Sequence, residues 1–170
     1  GTDGVGDNRK AHTIGRQTTV RMRKPSSEEW INNFAIPAGV DDAIIAWVDK
    51  NPQVFASYLD DGQNENHYIF NPRKVGQAYC CPRTLSKASH IVKRRHSLGA
   101  NTTLAGLIGT IGEAGARDLE TFMAHQDELP SWQEIIENPK TTVVPKVAPA
   151  CGMLVFGAVQ RVCANTITAF

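Results

Sequence analysis

The chain has 170 residues, with 18 Lys and Arg against 17 Asp and Glu, four cysteines, five histidines and three tryptophans. That length suits one ordinary domain or a small helical domain with an extension. The balanced charge excludes a global field that would hold the chain on nucleic acid or an anionic membrane. No stretch approaches the roughly 20 apolar residues that span a bilayer, and Gly1-Thr2-Asp3-Gly4 lacks the features of a signal peptide, so a soluble cytoplasmic protein is expected. Cys80 and Cys81 are neighbours with poor geometry for a mutual disulfide, and no C-x-x-C pair or metal-ligand spacing occurs, so reduced thiols and no structural metal are expected.

The first fifteen residues are polar and glycine-rich, without an apolar period. Gln17 to Arg23 alternates and is rich in β-branched residues, which predicts a short strand or extended segment. After Pro25, Ser26-Ser27-Glu28-Glu29 is a capping-box sequence, predicting a helix to about Phe34 with Trp30, Ile31 and Phe34 on one side. Asp41 or Asp42 caps a helix carrying Ile44, Ile45, Trp47 and Val48, and Asn51-Pro52 starts another with Val54, Phe55, Tyr58 and Leu59.

Residues 60–77 are polar and contain Gly62, Gly76 and Pro72, which predicts a long loop of the kind that serves a site. Pro82 opens a helix to about Arg95 with Leu85, Ala88, Ile91 and Val92 on its apolar face. Asn101 caps a segment with Leu104, Leu107, Ile108 and Ile111, and a further helix from about Gly112 turns Ala116, Leu119, Phe122 and Met123 inward. Ser131-Trp132-Gln133-Glu134 is a second capping box, Pro139 ends that short helix, and Ala148-Pro149 opens the last one. About seven helices and one strand make a mostly α chain, divided into residues 1–25, a flexible or strand segment, and residues 26–170, a helical domain.

Gly106, Gly109, Gly112 and Gly115 follow a three-residue spacing, but no G-x-x-x-x-G-K-[ST] string occurs anywhere, so close helix approach explains them better than a phosphate cradle. Lys140-Thr141-Thr142 follows proline rather than glycine, and Asp49 is followed by Lys50, so neither forms an ATPase motif. Lys93-Arg94-Arg95-His96 places positive charge at a helix C-terminus, where it complements the dipole, and lacks interleaved aromatics for nucleic-acid binding. Pro82, in contrast, puts Arg83 in a first turn, where unpaired N–H groups and a guanidinium together favour an anion.

Asn71-Pro72-Arg73 followed by Cys81-Pro82-Arg83-Thr84 resembles the start of the lid in MoxR-like AAA+ ATPases of bacterial and phage type. The resemblance continues through Gly109-Thr110-Ile111-Gly112-Glu113-Ala114, Phe122, Leu129-Pro130, Ile135, Asn138-Pro139 and Val144-Pro145, and upstream from Ser26 to Trp30 and the helices at 41–59. It implies a helical bundle like the AAA+ lid subdomain, with residues 1–25 as a remnant of the ATPase core. Arg83 takes the sensor 2 role at the nucleotide γ-phosphate. Gly6-Asp7-Asn8-Arg9 sits where the family has a Gly-Asn-Arg string, so Asn8 corresponds to the sensor 1 residue that positions water, and Arg16 to the arginine finger. The apolar strand residues usual before Asn8 are absent, and Gly15-Arg16-Gln17 departs from the common finger context.

The resemblance further implies ATP and Mg2+ as cofactors of a full-length parent, with none for this chain alone. The partners are an N-terminal ATPase core, neighbouring subunits of a ring and a protein client, with neither membrane nor nucleic acid. The function expected is the lid and nucleotide-sensor segment of a ring-forming ATPase that remodels proteins, without hydrolysis of its own. The alternative is an autonomous helical protein-interaction module.

Overall fold

The structure is a computed structural model that describes Arg16 and residues 23–125, 129–130 and 132–167, with side chains described as far as residue 162. The segment expected as a strand, residues 17–23, lies outside the described residues except for Arg23. Among the described residues there are helices and no strand, and no helix is long and apolar enough to cross a membrane.

Helix α1, Ser27–Trp30, begins as its capping box dictates: the Glu29 amide donates to Ser26 Oγ at 3.1 Å and the Ser26 amide donates to Glu29 Oε2 at 2.9 Å. Arg23 pairs with the same carboxylate, and its hydrogen bonds, with that of the Ser26 amide, pull the Glu29 carboxyl down to about 2. The chain then passes into a π turn, Ile31–Ala35, in which the Ile36 amide reaches back five residues to the Ile31 carbonyl at 3.0 Å. The wider turn rotates the face. Trp30 and Ile31 are buried as expected, but Ala35 takes the inward place and Phe34 is left 46% exposed.

Helix α2, Asp42–Lys50, is the centre of the molecule. Asp41 caps it by accepting from the Ala43 amide at 3.0 Å, and every residue from Ala43 to Val48 is buried. A helix apolar on all sides needs cover on all sides. Helix α6, Glu113–Met123, and helix α8, Ala148–Ile167, supply much of it. The Trp47 indole donates to Asp118 Oδ2 of α6 at 2.9 Å, and the Tyr68 hydroxyl donates to the same oxygen at 3.3 Å, so one carboxylate ties α2, α6 and the following loop together.

The helix expected from Asn51-Pro52 is only a 3₁₀ turn, Pro52–Phe55, and Leu59 is 81% exposed rather than inward. Local side chains stop it. The Ser57 amide donates to Asp60 Oδ2 at 2.7 Å and the Leu59 amide to Ser57 Oγ at 3.2 Å, so amides that would extend a helix are taken by side chains.

Helix α3, Pro82–Val92, ends three residues before the expected Arg95, and a short α4, Arg95–Leu98, follows it. The basic tract serves carbonyls here: Arg95 donates to the Val92 carbonyl at 2.9 Å, and the Lys93 ammonium reaches the Gly39 carbonyl. Helix α5, Ala100–Ile111, starts from Gly99 at φ +78°, not from Asn101, because the chain reverses direction through a conformation open to glycine. Helix α7, Trp132–Glu137, is short; Ser131, its expected cap, lies outside the described residues. Trp132 of α7 carries the Arg161 guanidinium of α8 over its ring at 3.9 Å.

In the layers that result, α5 sits between α3 and α6, and α2 lies between α6 and α8. Gly106 gives Ile91 of α3 room, and Gly115 gives room to Cys80 Sγ. Close approach therefore accounts for Gly106, Gly115 and Gly112, the last against the Ala78 carbonyl, though only at Gly106 is the nearest neighbour on another helix, and Gly109 faces open space. Cys80 is a free, buried thiol whose burial and the neighbouring Cys81 push it up to about 12, which leaves it unreactive.

The capping residue Asp41 has a second property. Burial, then the adjacent Asp42, raises its carboxyl to about 6, against the opposing pull of the Ala43 amide and of Arg95, whose Nη1 is 3.9 Å away. A carboxyl raised on folding stabilises the fold fully below its unfolded value of 3.8, and this stability is lost as pH rises through about 6. The loss is at most about 3 kcal/mol. Asn caps as well as Asp and does not titrate. In Asp41→Asn the difference in urea midpoint between pH values of about 4.5 and 7.5 should therefore shift in favour of the higher pH relative to the parent chain. Coincident profiles of the two proteins would show that Asp41 is not the titrating group.

Candidate functional site

Extended backbone at Cys81 turns into α3 at Pro82, whose fixed φ and missing N–H suit the first helical position. Thr84 locks this turn. Its hydroxyl accepts from the Cys81 amide at 2.8 Å and donates to the Tyr79 carbonyl at 2.8 Å. The segment before it is held by Gly112, whose φ of +85° and close approach to the Ala78 carbonyl admit no side chain, and by the Cys80 amide, which donates to the Tyr68 carbonyl at 2.6 Å.

On this braced turn Arg83 is the second helical residue, exposed, with no hydrogen bond or ion pair to a described residue. The helix dipole at this end is positive and disfavours a cation, so Arg83 gains nothing electrostatically from its own helix. Lys87 and His90 follow at four and seven residues and are also exposed, which aligns three basic side chains along one helix face. Lys87 and His90 were not singled out in the sequence, although the spacing of basic residues was the signal for them. What this face can do chemically is present cationic donors, with a forked guanidinium at the helix start, to an anion brought by another surface.

Asn8 lies outside the described residues, and Arg16 is exposed with no hydrogen bond or ion pair to a described residue. Of the three residues assigned to nucleotide sensing, only Arg83 lies on a helix among the described residues.

The long polar loop does line a cavity, of about 690 Å³, against the first turn of α6. Its walls carry Glu65, His67, Arg73 and Lys74 from the loop and Glu113 and Arg117 from the helix, the last two paired at 3.0 Å. Side-chain turns hold the loop in shape: the Tyr68 amide donates to Asn66 Oδ1 at 3.0 Å and the Arg73 amide to Asn71 Oδ1 at 2.9 Å. Tyr79 lines this cavity and Arg83 does not, so the loop and the start of α3 offer separate surfaces. The chain matches no family model, and neither a curated protein nor a solved structure is significantly similar to it.

Proposed function

We propose that the chain is the lid and nucleotide-sensor segment of a ring-forming, MoxR-like AAA+ ATPase that remodels protein partners. The observation that carries this reading is Arg83, exposed and unpaired at the second position of a helix whose start is braced by Thr84 and Gly112. A guanidinium in such a place has little to do for its own fold and much to offer a γ-phosphate presented by a neighbouring ATPase core. ATP and Mg2+ belong to that core, and the chain itself has no phosphate loop.

Phosphoryl transfer to water needs a phosphate cradle and a metal ion besides sensors, so the isolated chain should turn over ATP with Mg2+ no faster than buffer. Arg83-dependent turnover by the purified chain would overturn the reading. The coding sequence upstream of Gly1 separates it from its rival, an autonomous helical interaction module. A phosphate loop and an acidic magnesium-binding pair in the same reading frame are expected, and a frame without them favours the module.

A further inference from the structure

The net charge of +1 hides a segregation. Residues 26–65 hold eight Asp and Glu against the single Lys50, and residues 66–112 hold seven Lys and Arg with no Asp or Glu. The fold carries much of this division to opposite ends of α2. At its N-terminal end lies the basic tract: the Asp41 amide donates to Ser89 Oγ of α3 at 2.8 Å, the Lys93 ammonium reaches the Gly39 carbonyl, and Arg95 stands 3.9 Å from the Asp41 carboxylate. At its C-terminal end, about 13 Å away along a nine-residue helix, Asp49 is followed by the 3₁₀ turn and then by Asp60 and Asp61. Asn66 donates to the Gln53 carbonyl at 3.0 Å, which holds the loop beyond Asp61 against that turn.

Each end also exposes a leucine. Leu98, 40% exposed, closes α4 in a segment that holds the exposed Arg94 and His96, and Leu59, 81% exposed, directly precedes the exposed Asp60 and Asp61. An apolar centre within a charged rim is the make-up of a docking patch, and here the two rims have opposite signs. Some charges oppose the match. Lys50 lies 3.7 Å from Asp49, Arg73 and Lys74 follow later in the polar loop, and Glu120 borders the same groove as Arg95 and His96. They limit the attraction without changing the sign of either Leu-centred patch.

We infer that these ends meet head to tail between copies of this chain, the Leu59–Asp61 edge of one copy seated on the Arg94–Leu98 turn of the next. Both halves of the match are on one chain, which singles out a second copy over an unrelated acidic protein. The two patches differ and lie at opposite ends, so each contact leaves one end of either copy open, and the contact repeats instead of closing on a two-fold axis. Two leucines and a few exposed ion pairs make a small interface, weak by itself and sensitive to salt. The inference stands apart from the nucleotide reading, since neither patch includes Arg83.

Sedimentation velocity of the purified chain reads the contact. In about 50 mM NaCl the weight-average mass should rise with protein concentration past that of a dimer, and about 500 mM NaCl should weaken the association at least about tenfold. Arg94→Gln with Leu98→Ser removes the basic end, and Leu59→Ser with Asp61→Asn removes the acidic end; each double variant alone should stay monomeric. Mixed in equal amounts they should form a heterodimer and nothing larger, because one intact end of each kind remains. All four positions are exposed, so both variants should melt as the parent does. Where Leu98→Ser lowers the melting temperature, Arg94→Gln alone takes its place and should weaken association about fivefold or more. A parent chain that stays monomeric in low salt, association indifferent to salt, parent-like association of any of these variants, or a mixture that stays monomeric would each overturn the contact. So would binding of a nucleic-acid duplex by a chain that does not self-associate, which would give the basic end to a polyanion. None of these results bears on Arg83, whose own substitution tests the nucleotide reading.

Discussion

Gly112→Ala should destabilise the fold by about 3–5 kcal/mol, whereas Gly109→Ala, three residues earlier, should stabilise it by about 0.5–1 kcal/mol. The two glycines share a sequence spacing and differ in everything physical. Gly112 sits at φ +85° and ψ 162°, a region open essentially to glycine, and an added Cβ would collide with the Ala78 carbonyl oxygen. That oxygen is backbone, in a segment tied to Tyr68 through the Cys80 amide and to Thr84 through the Tyr79 carbonyl, so it cannot step aside without moving the start of α3. Strain of about 1–3 kcal/mol and an overpacking cost of similar size therefore add. Gly109 lies inside α5 with open space where a Cβ would go, and there alanine gains only helix propensity. Urea unfolding of the two variants and the parent measures both effects. A Gly112→Ala protein as stable as its parent would show that α5 and α6 do not meet the 78–80 segment in this way.

Where one side chain acts on its own neighbours in sequence, the fold was legible. Ser26 with Glu29 and Asp41 with Ala43 are caps whose partners lie within three residues, Pro82 takes the first helical position, and each forms as expected. Arg95 likewise meets the Val92 carbonyl at the end of a helix, while Lys93 reaches across to the Gly39 carbonyl. Expectations failed where two local choices competed. Apolar spacing extended a helix to Leu59, but Ser57 and Asp60 bind the amides it needs. Asn101 is a good cap by type, yet the glycine two residues before it makes the turn. The π turn at Ile31–Ala35 rotates a face that a regular period would place differently. Of the candidate sites, the exposed start of α3 was readable because proline and arginine types speak for themselves. The cavity beside the polar loop was only half readable, because Glu113 and Arg117 reach its wall from a separate helix. The Asp118 junction was equally hidden, joining Trp47 to a residue 71 positions away.

Arg83→Ala in an intact ATPase carrying this segment should depress ATP hydrolysis about 10- to 150-fold, the loss of a charge-assisted interaction of about 1.5–3 kcal/mol with the γ-phosphate. It should change folding stability by no more than about 0.5 kcal/mol, because Arg83 is exposed and bonded to no described residue. Lys87→Ala, one turn along the same face, provides the comparison for a general loss of positive charge and should leave turnover within a few-fold of the parent. The most direct measurement pairs steady-state hydrolysis with thermal melting of the parent and Arg83→Ala proteins, with and without a non-hydrolysable ATP analogue. The nucleotide-sensor account predicts that Arg83→Ala loses both turnover and most of the analogue-induced rise in melting temperature while melting normally without nucleotide. Parent-like turnover together with a parent-like rise in melting temperature would contradict it.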